Sequence, residues 1–76
     1  MNIIQRNFFR LLRSGAFGTT EEIEPMSVHK WDALCQLTIM HHVVPYVYDG
    51  LTQCKSQFSL RITDEQWDNW QKLMNE

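Results

Sequence analysis

Between His41 and Leu51 the chain reads His-His-Val-Val-Pro-Tyr-Val-Tyr-Asp-Gly-Leu, gathering two imidazoles, two phenols and a carboxylate around one proline. Imidazole is the commonest metal ligand and the usual acid–base group near neutral pH. Tyr46, Tyr48 and Asp49 could assist proton transfer if a partner converged on them. The spacing works against both chemistries. Neighbouring residues of a helix point about 100° apart, whereas helical metal pairs sit three or four residues apart. At those separations His42 meets Thr38, and His41 meets Leu37 and Thr38. Cys35 lies two turns from His42, about 10 Å along a helix axis at roughly 1.5 Å per residue, too far to share a coordination shell. The histidines therefore read as packing or capping groups at the end of a helix, and the tyrosines as aromatic surface at the edge of a small core.

Other chemistry-bearing patterns are missing. There is no Gly-x-Ser-x-Gly, no glycine-rich loop before Lys-Ser or Lys-Thr, and no Cys-x-x-Cys. Gly15-Ala16-Phe17-Gly18 has the glycines of a phosphate loop without its flanking strand and helix. No catalytic, cofactor-binding or metal-binding residue is assigned. Two surfaces remain as candidates for recognition. Arg6, Arg10 and Arg13 recur along one side of a helix, which reads first as a solvated face, although guanidinium groups there could hold phosphates or an acidic partner, or pair with Glu21, Glu22 and Glu24 of the same chain. Trp67, Trp70 and Met74 share one side of the last helix and suit either a core or a contact with another protein.

The elements that must position these groups are helical. Ile4, Phe8, Leu11 and Leu12 recur at helical spacing, and Ser14-Gly15 and Gly18 are stop signals, so a first helix is expected over residues 2–14. Phe9 falls off its main apolar stripe. Residues 19–25 read as an acidic loop with at most one helical turn. Ser27 caps a second helix, 27–43, stapled by Met26 and Trp31. Its inward face is Val28, Trp31, Leu34, Cys35 and Thr38, and Pro45 is the expected stop. A third helix, 45–55, places Val47, Leu51 and Cys54 on one stripe, with Gly50 marking a break or a close helix approach. Residues 57–62 form a connector. Thr63-Asp64-Glu65-Gln66 is a capping box, stapled by Ile62 and Trp67, that opens a fourth helix over 63–76. The expected fold is thus an all-α bundle of four helices in a single small domain, 1–76.

Bulk properties narrow the function classes. A chain of 76 residues buries only about 60% of the surface that it exposes when unfolded, so stability is marginal. Seven basic against nine acidic side chains, a net charge of -2, argue against a dedicated nucleic-acid binder. The chain lacks an apolar run near the roughly 18 residues of a membrane span. Without a secretory signal, Cys35 and Cys54 are expected to be reduced thiols of a cytoplasmic protein.

Two segments carry a resemblance: Phe8-Phe9-Arg10-Leu11-Leu12-Arg13-Ser14-Gly15-Ala16-Phe17-Gly18, and His42-Val43-Val44-Pro45-Tyr46-Val47-Tyr48-Asp49-Gly50-Leu51 with Trp31 upstream. Together they resemble the N-terminal helical region of the uncharacterised bacterial nucleotidyltransferase family of Bacteroides-type bacteria. The likeness spans most of residues 8–51 and rests on helix and elbow patterns. It implies that the chain is the N-terminal part of a longer protein, a scaffold or substrate-side cover that is catalytically silent alone. Magnesium and a nucleoside triphosphate are implied only for a downstream core, where paired aspartates would hold the metal. Asp64 and Asp68 lie on an expected helix, without that strand context, so no catalytic residue carries over. The alternative is a stand-alone interaction module that binds a protein partner, or forms a weak homodimer, through Trp67, Trp70 and Met74.

Overall fold

A computed structural model describes residues 1–75. Among them are four helices and no strand: α1 (Ile3–Phe17), α2 (Val28–Met40), α3 (Val44–Gln53) and α4 (Asp64–Met74). The all-α bundle expected from periodicity is the observed fold. Helix α1 packs mainly on α3 and also on α2, while α4 joins the bundle chiefly through α3.

Local signals account for each start. Ser27 accepts from the Lys30 amide, and Thr63 and Gln66 exchange both bonds of a capping box. A second box, Asn2 with Gln5, opens α1; its one signal in the sequence is the Asn-x-x-Gln spacing. In the two staples Trp31 is buried, whereas Met26, Ile62 and Trp67 pack half-buried against the core. Val47 and Leu51 of α3, and Cys54 at its C-terminal cap, are fully buried. Each apolar side chain of Val or Leu size so buried contributes about 1.5–3 kcal/mol.

The ends of the helices differ more from expectation. Helix α1 continues past Ser14-Gly15 to Phe17 and stops only at Gly18, which takes φ 69° and donates its amide to the Ser14 carbonyl at 2.9 Å. Gly15 is instead a contact glycine. A Cβ there would overlap the Tyr46 carbonyl, and a Cβ on Gly50 would overlap the Leu11 carbonyl. The two glycines let α1 and α3 meet backbone to backbone, so the close approach expected at Gly50 is real and it is reciprocal.

Helix α2 ends at Met40, ahead of the expected 43. The His42 amide bonds to the Ile39 carbonyl at 3.1 Å and the Val43 amide to that of Thr38 at 3.3 Å, the two bonds of a Schellman closure. His42 supplies the left-handed residue, φ 56°, that such a closure needs. The helix therefore stops before Pro45 acts, and Pro45 sits inside the first turn of α3. Val28, expected to face inward, is 48% exposed. Helix α4 is shorter than 63–76, with Thr63 as its cap and Asn75 closing it; position 76 lies outside the described residues.

The segment between α1 and α2 has no helical turn. It is sewn to the bundle by side chains that take the part of a partner strand. Asn7, fully buried, donates to the Glu24 carbonyl at 2.8 Å and accepts from the Glu24 amide at 3.0 Å. Gln57 accepts from the Ile23 amide at 2.9 Å and donates to the Glu21 carbonyl. Ser14 and Ser59 bond the Thr19 and Ile23 carbonyls. Ile23, between these ties, is 2% exposed.

Two outcomes follow for stability. Gly15→Ala and Gly50→Ala should each cost at least about 2 kcal/mol, because backbone cannot yield as a side chain can; in so marginal a domain thermal melts should show large losses of Tm. His42→Gly should raise stability by about 1 kcal/mol, since a left-handed conformation costs an L-residue roughly that much. A circular-dichroism melt should then rise by about 4–8 °C, and an unchanged or lower Tm would show that His42 is not strained.

Candidate functional site

The histidine-tyrosine cluster spreads apart in three dimensions. His41 is exposed and lays its ring near Phe8, centroid to centroid 5.8 Å, while His42 closes α2. Tyr46 is exposed on α3, and Tyr48 turns its edge to Trp67 at 6.3 Å. Asp49 points to solvent. No group of three or more His, Cys, Asp and Glu residues is placed to hold a metal ion among the described residues.

Both thiols are free and buried. Burial pushes the Cys35 thiol upward, and the Asp32 carboxylate adds to the rise, against a weak bond from the Asn69 amide at 3.7 Å. A thiol held protonated in this way is a poor nucleophile. Cys54 is fully buried between the Ser14 hydroxyl at 3.7 Å and the Glu21 carbonyl at 3.5 Å. It is part of the packing between α1, α3 and the connecting strap.

The arginine stripe is largely occupied from within. Arg6 grips Glu24 with Nε at 2.7 Å and Nη2 at 3.1 Å, and Arg10 reaches the same carboxylate at 2.9 Å. Arg10 also donates to the Glu22 carbonyl at 3.2 Å. Arg13 pairs with Glu21 at 3.0 Å. Of the alternatives for this stripe, pairing within the chain is the one that the geometry realises. The bond from Arg6, helped by the charges of Arg6 and Arg10, holds the Glu24 carboxyl below the ordinary carboxylate range despite some opposing desolvation.

Trp67, Trp70 and Met74 do not form one exposed face. Trp70 is 2% exposed and belongs to the core. Trp67 is half-buried against Tyr48 and carries the Lys55 ammonium 5.4 Å from its ring centre, and Met74 is half-buried. The i, i+3 spacing is the same for a core and for an interface, and of the two Trp70 takes the core.

Two grooves flank the start of α2. One, between α2 and α4, is bordered by Asp32, Glu65, Asp68 and Lys72. The other, beside the strap, is bordered by Met26, Lys30, Phe58 and Arg61, with Phe58 84% exposed. Neither groove is legible in the sequence, since each joins residues more than 25 positions apart. No protein-family model, curated protein or solved structure matches the chain. No described helix is long and apolar enough to cross a membrane.

The Glu24 clamp makes a pH-dependent stability. A carboxyl whose folded pKa is depressed contributes fully above its unfolded value, about pH 4.3 for glutamate, and loses that contribution as pH falls through the folded value. Denaturant melts of the wild type should therefore weaken below about pH 4.3. Glu24→Gln should be less stable at pH 7 and show a flatter decline with acid; identical pH profiles for the two proteins would count against the clamp.

Proposed function

We propose that this chain is a helical domain of a bacterial, cytoplasmic nucleotidyltransferase-like protein, a scaffold or substrate-side cover that is catalytically silent by itself. The observation that carries this reading is where the two resembling segments lie. Phe8–Gly18 is most of α1 with its cap, and His42–Leu51 is the α2–α3 elbow with most of α3, so the shared pattern coincides with the helix pair that crosses at Gly15 and Gly50. Residues that look like chemistry in the sequence are spent on this architecture: His42 on closing a helix, Cys54 on packing, Arg6 and Arg10 on Glu24. Magnesium and nucleoside triphosphate belong, on this reading, to a downstream core with its own paired carboxylates.

The competing module that binds through Trp67, Trp70 and Met74 loses its central anchor, because Trp70 is already covered. Incubation of the purified chain with labelled nucleoside triphosphates and magnesium should give no transfer above a protein-free control. Translation of the gene past the Glu76 codon should run into a Gly-Ser loop followed by paired aspartates. A stop codon directly after Glu76, or turnover that persists through purification, would overturn the proposal.

A further inference from the structure

We propose that the outward face of α2, with the grooves on its two flanks, is a self-association surface joining two copies of the chain about a two-fold axis. The proposal does not rest on the transferase reading. Helix α2 is poorly divided into apolar and polar sides: Val28, Ala33 and Met40 all point outward, with Met40 73% exposed. Its flanks have opposite charge. At about 100° per residue, Lys30 and Asp32 stand roughly 160° apart, on the two edges of the exposed face. Lys30 shares its edge with Arg61, whose guanidinium lies over the exposed ring of Phe58, 4.5 Å from the centre. Asp32, which accepts a bond from the Gln66 side-chain amide at 2.8 Å, shares the other edge with Glu65, Asp68 and Lys72, which leaves that edge net acidic. None of these six charged groups forms an ion pair among the described residues, in contrast to Arg6, Arg10 and Arg13.

A face with one basic and one acidic edge is its own complement. A two-fold axis laid along the outward ridge of α2 exchanges the edges, so that Lys30 and Arg61 of each copy meet Asp32, Glu65 and Asp68 of the other, twice over. Ala33, near the axis, is small enough for the two helices to come close, and Met40 adds apolar contact. Charge pairing of this kind fixes register and orientation. A standard interface takes about 800 Å² from each partner, a large share of the 4842 Å² that this chain exposes. One helix face is therefore a small interface, and the dimer is a weak one, formed at high protein concentration.

Sedimentation equilibrium of the full chain at low salt, up to several hundred micromolar, tests this. The expected mass rises from 9.1 kDa toward twice that value, and added salt reverses the rise. Lys30→Glu with Arg61→Glu, or Glu65→Lys with Asp68→Lys, should each weaken self-association by at least about tenfold by placing like charges together. An equimolar mixture of the two double variants should pair again, and adding Ala33→Arg to both should abolish that pairing. All five positions are exposed, so circular dichroism should show intact folds. A wild type that stays monomeric throughout, a dimer indifferent to both charge reversals, or mixed pairing that survives Ala33→Arg would each overturn the proposal.

Discussion

The bundle depends on one contact between backbones. Gly15 of α1 lies against the Tyr46 carbonyl and Gly50 of α3 against the carbonyl of Leu11. With no Cβ at either point the helices approach more closely than side chains would permit. Close approach brings Leu11, Val47 and Leu51 out of water together, and α2 and α4 pack around the pair that results. Glycine inside a helix costs roughly 1 kcal/mol relative to alanine. That cost is borne twice here and offset by the packing that it makes possible.

A second constraint follows from the first. Once α1 and α3 are packed together, the strap from α1 to α2 runs over the bundle without helical turns, and its amides and carbonyls need partners. Asn7, Ser14, Gln57 and Ser59 supply them, while Arg6, Arg10 and Arg13 draw its carboxylates onto α1. Polar side chains thus perform here what a β-ladder performs elsewhere. Asn7 is fully buried for this reason, since its amide reads both backbone groups of Glu24.

These commitments shape what the chain can do. Thiols are buried, His41 and His42 are taken up by the end of α2, and two of the tryptophans, Trp31 and Trp70, are in the core. Charged groups outside any ion pair among the described residues include Lys30 and Arg61 on one edge of α2 and Asp32, Glu65, Asp68 and Lys72 on the other.

Much of the fold was legible because its signals are local. Caps and staples act over three to five residues, so Ser27, Thr63 and Gln66 announce their helices without reference to anything distant. The Val47, Leu51 and Cys54 stripe is equally local, being a matter of helical period. Helix ends were less legible: Ser14-Gly15 reads as a stop in isolation, and nothing near His42 says that a histidine will take the left-handed position. Tertiary structure alone decided that Gly15 is a contact, that Trp70 faces inward while Val28 faces out, that Asn7 is buried, and that the arginines answer to Glu21 and Glu24. The physical reason is common to all of these. Period and capping determine which residues share a face, but what that face meets depends on a helix crossing set by two glycines 35 positions apart.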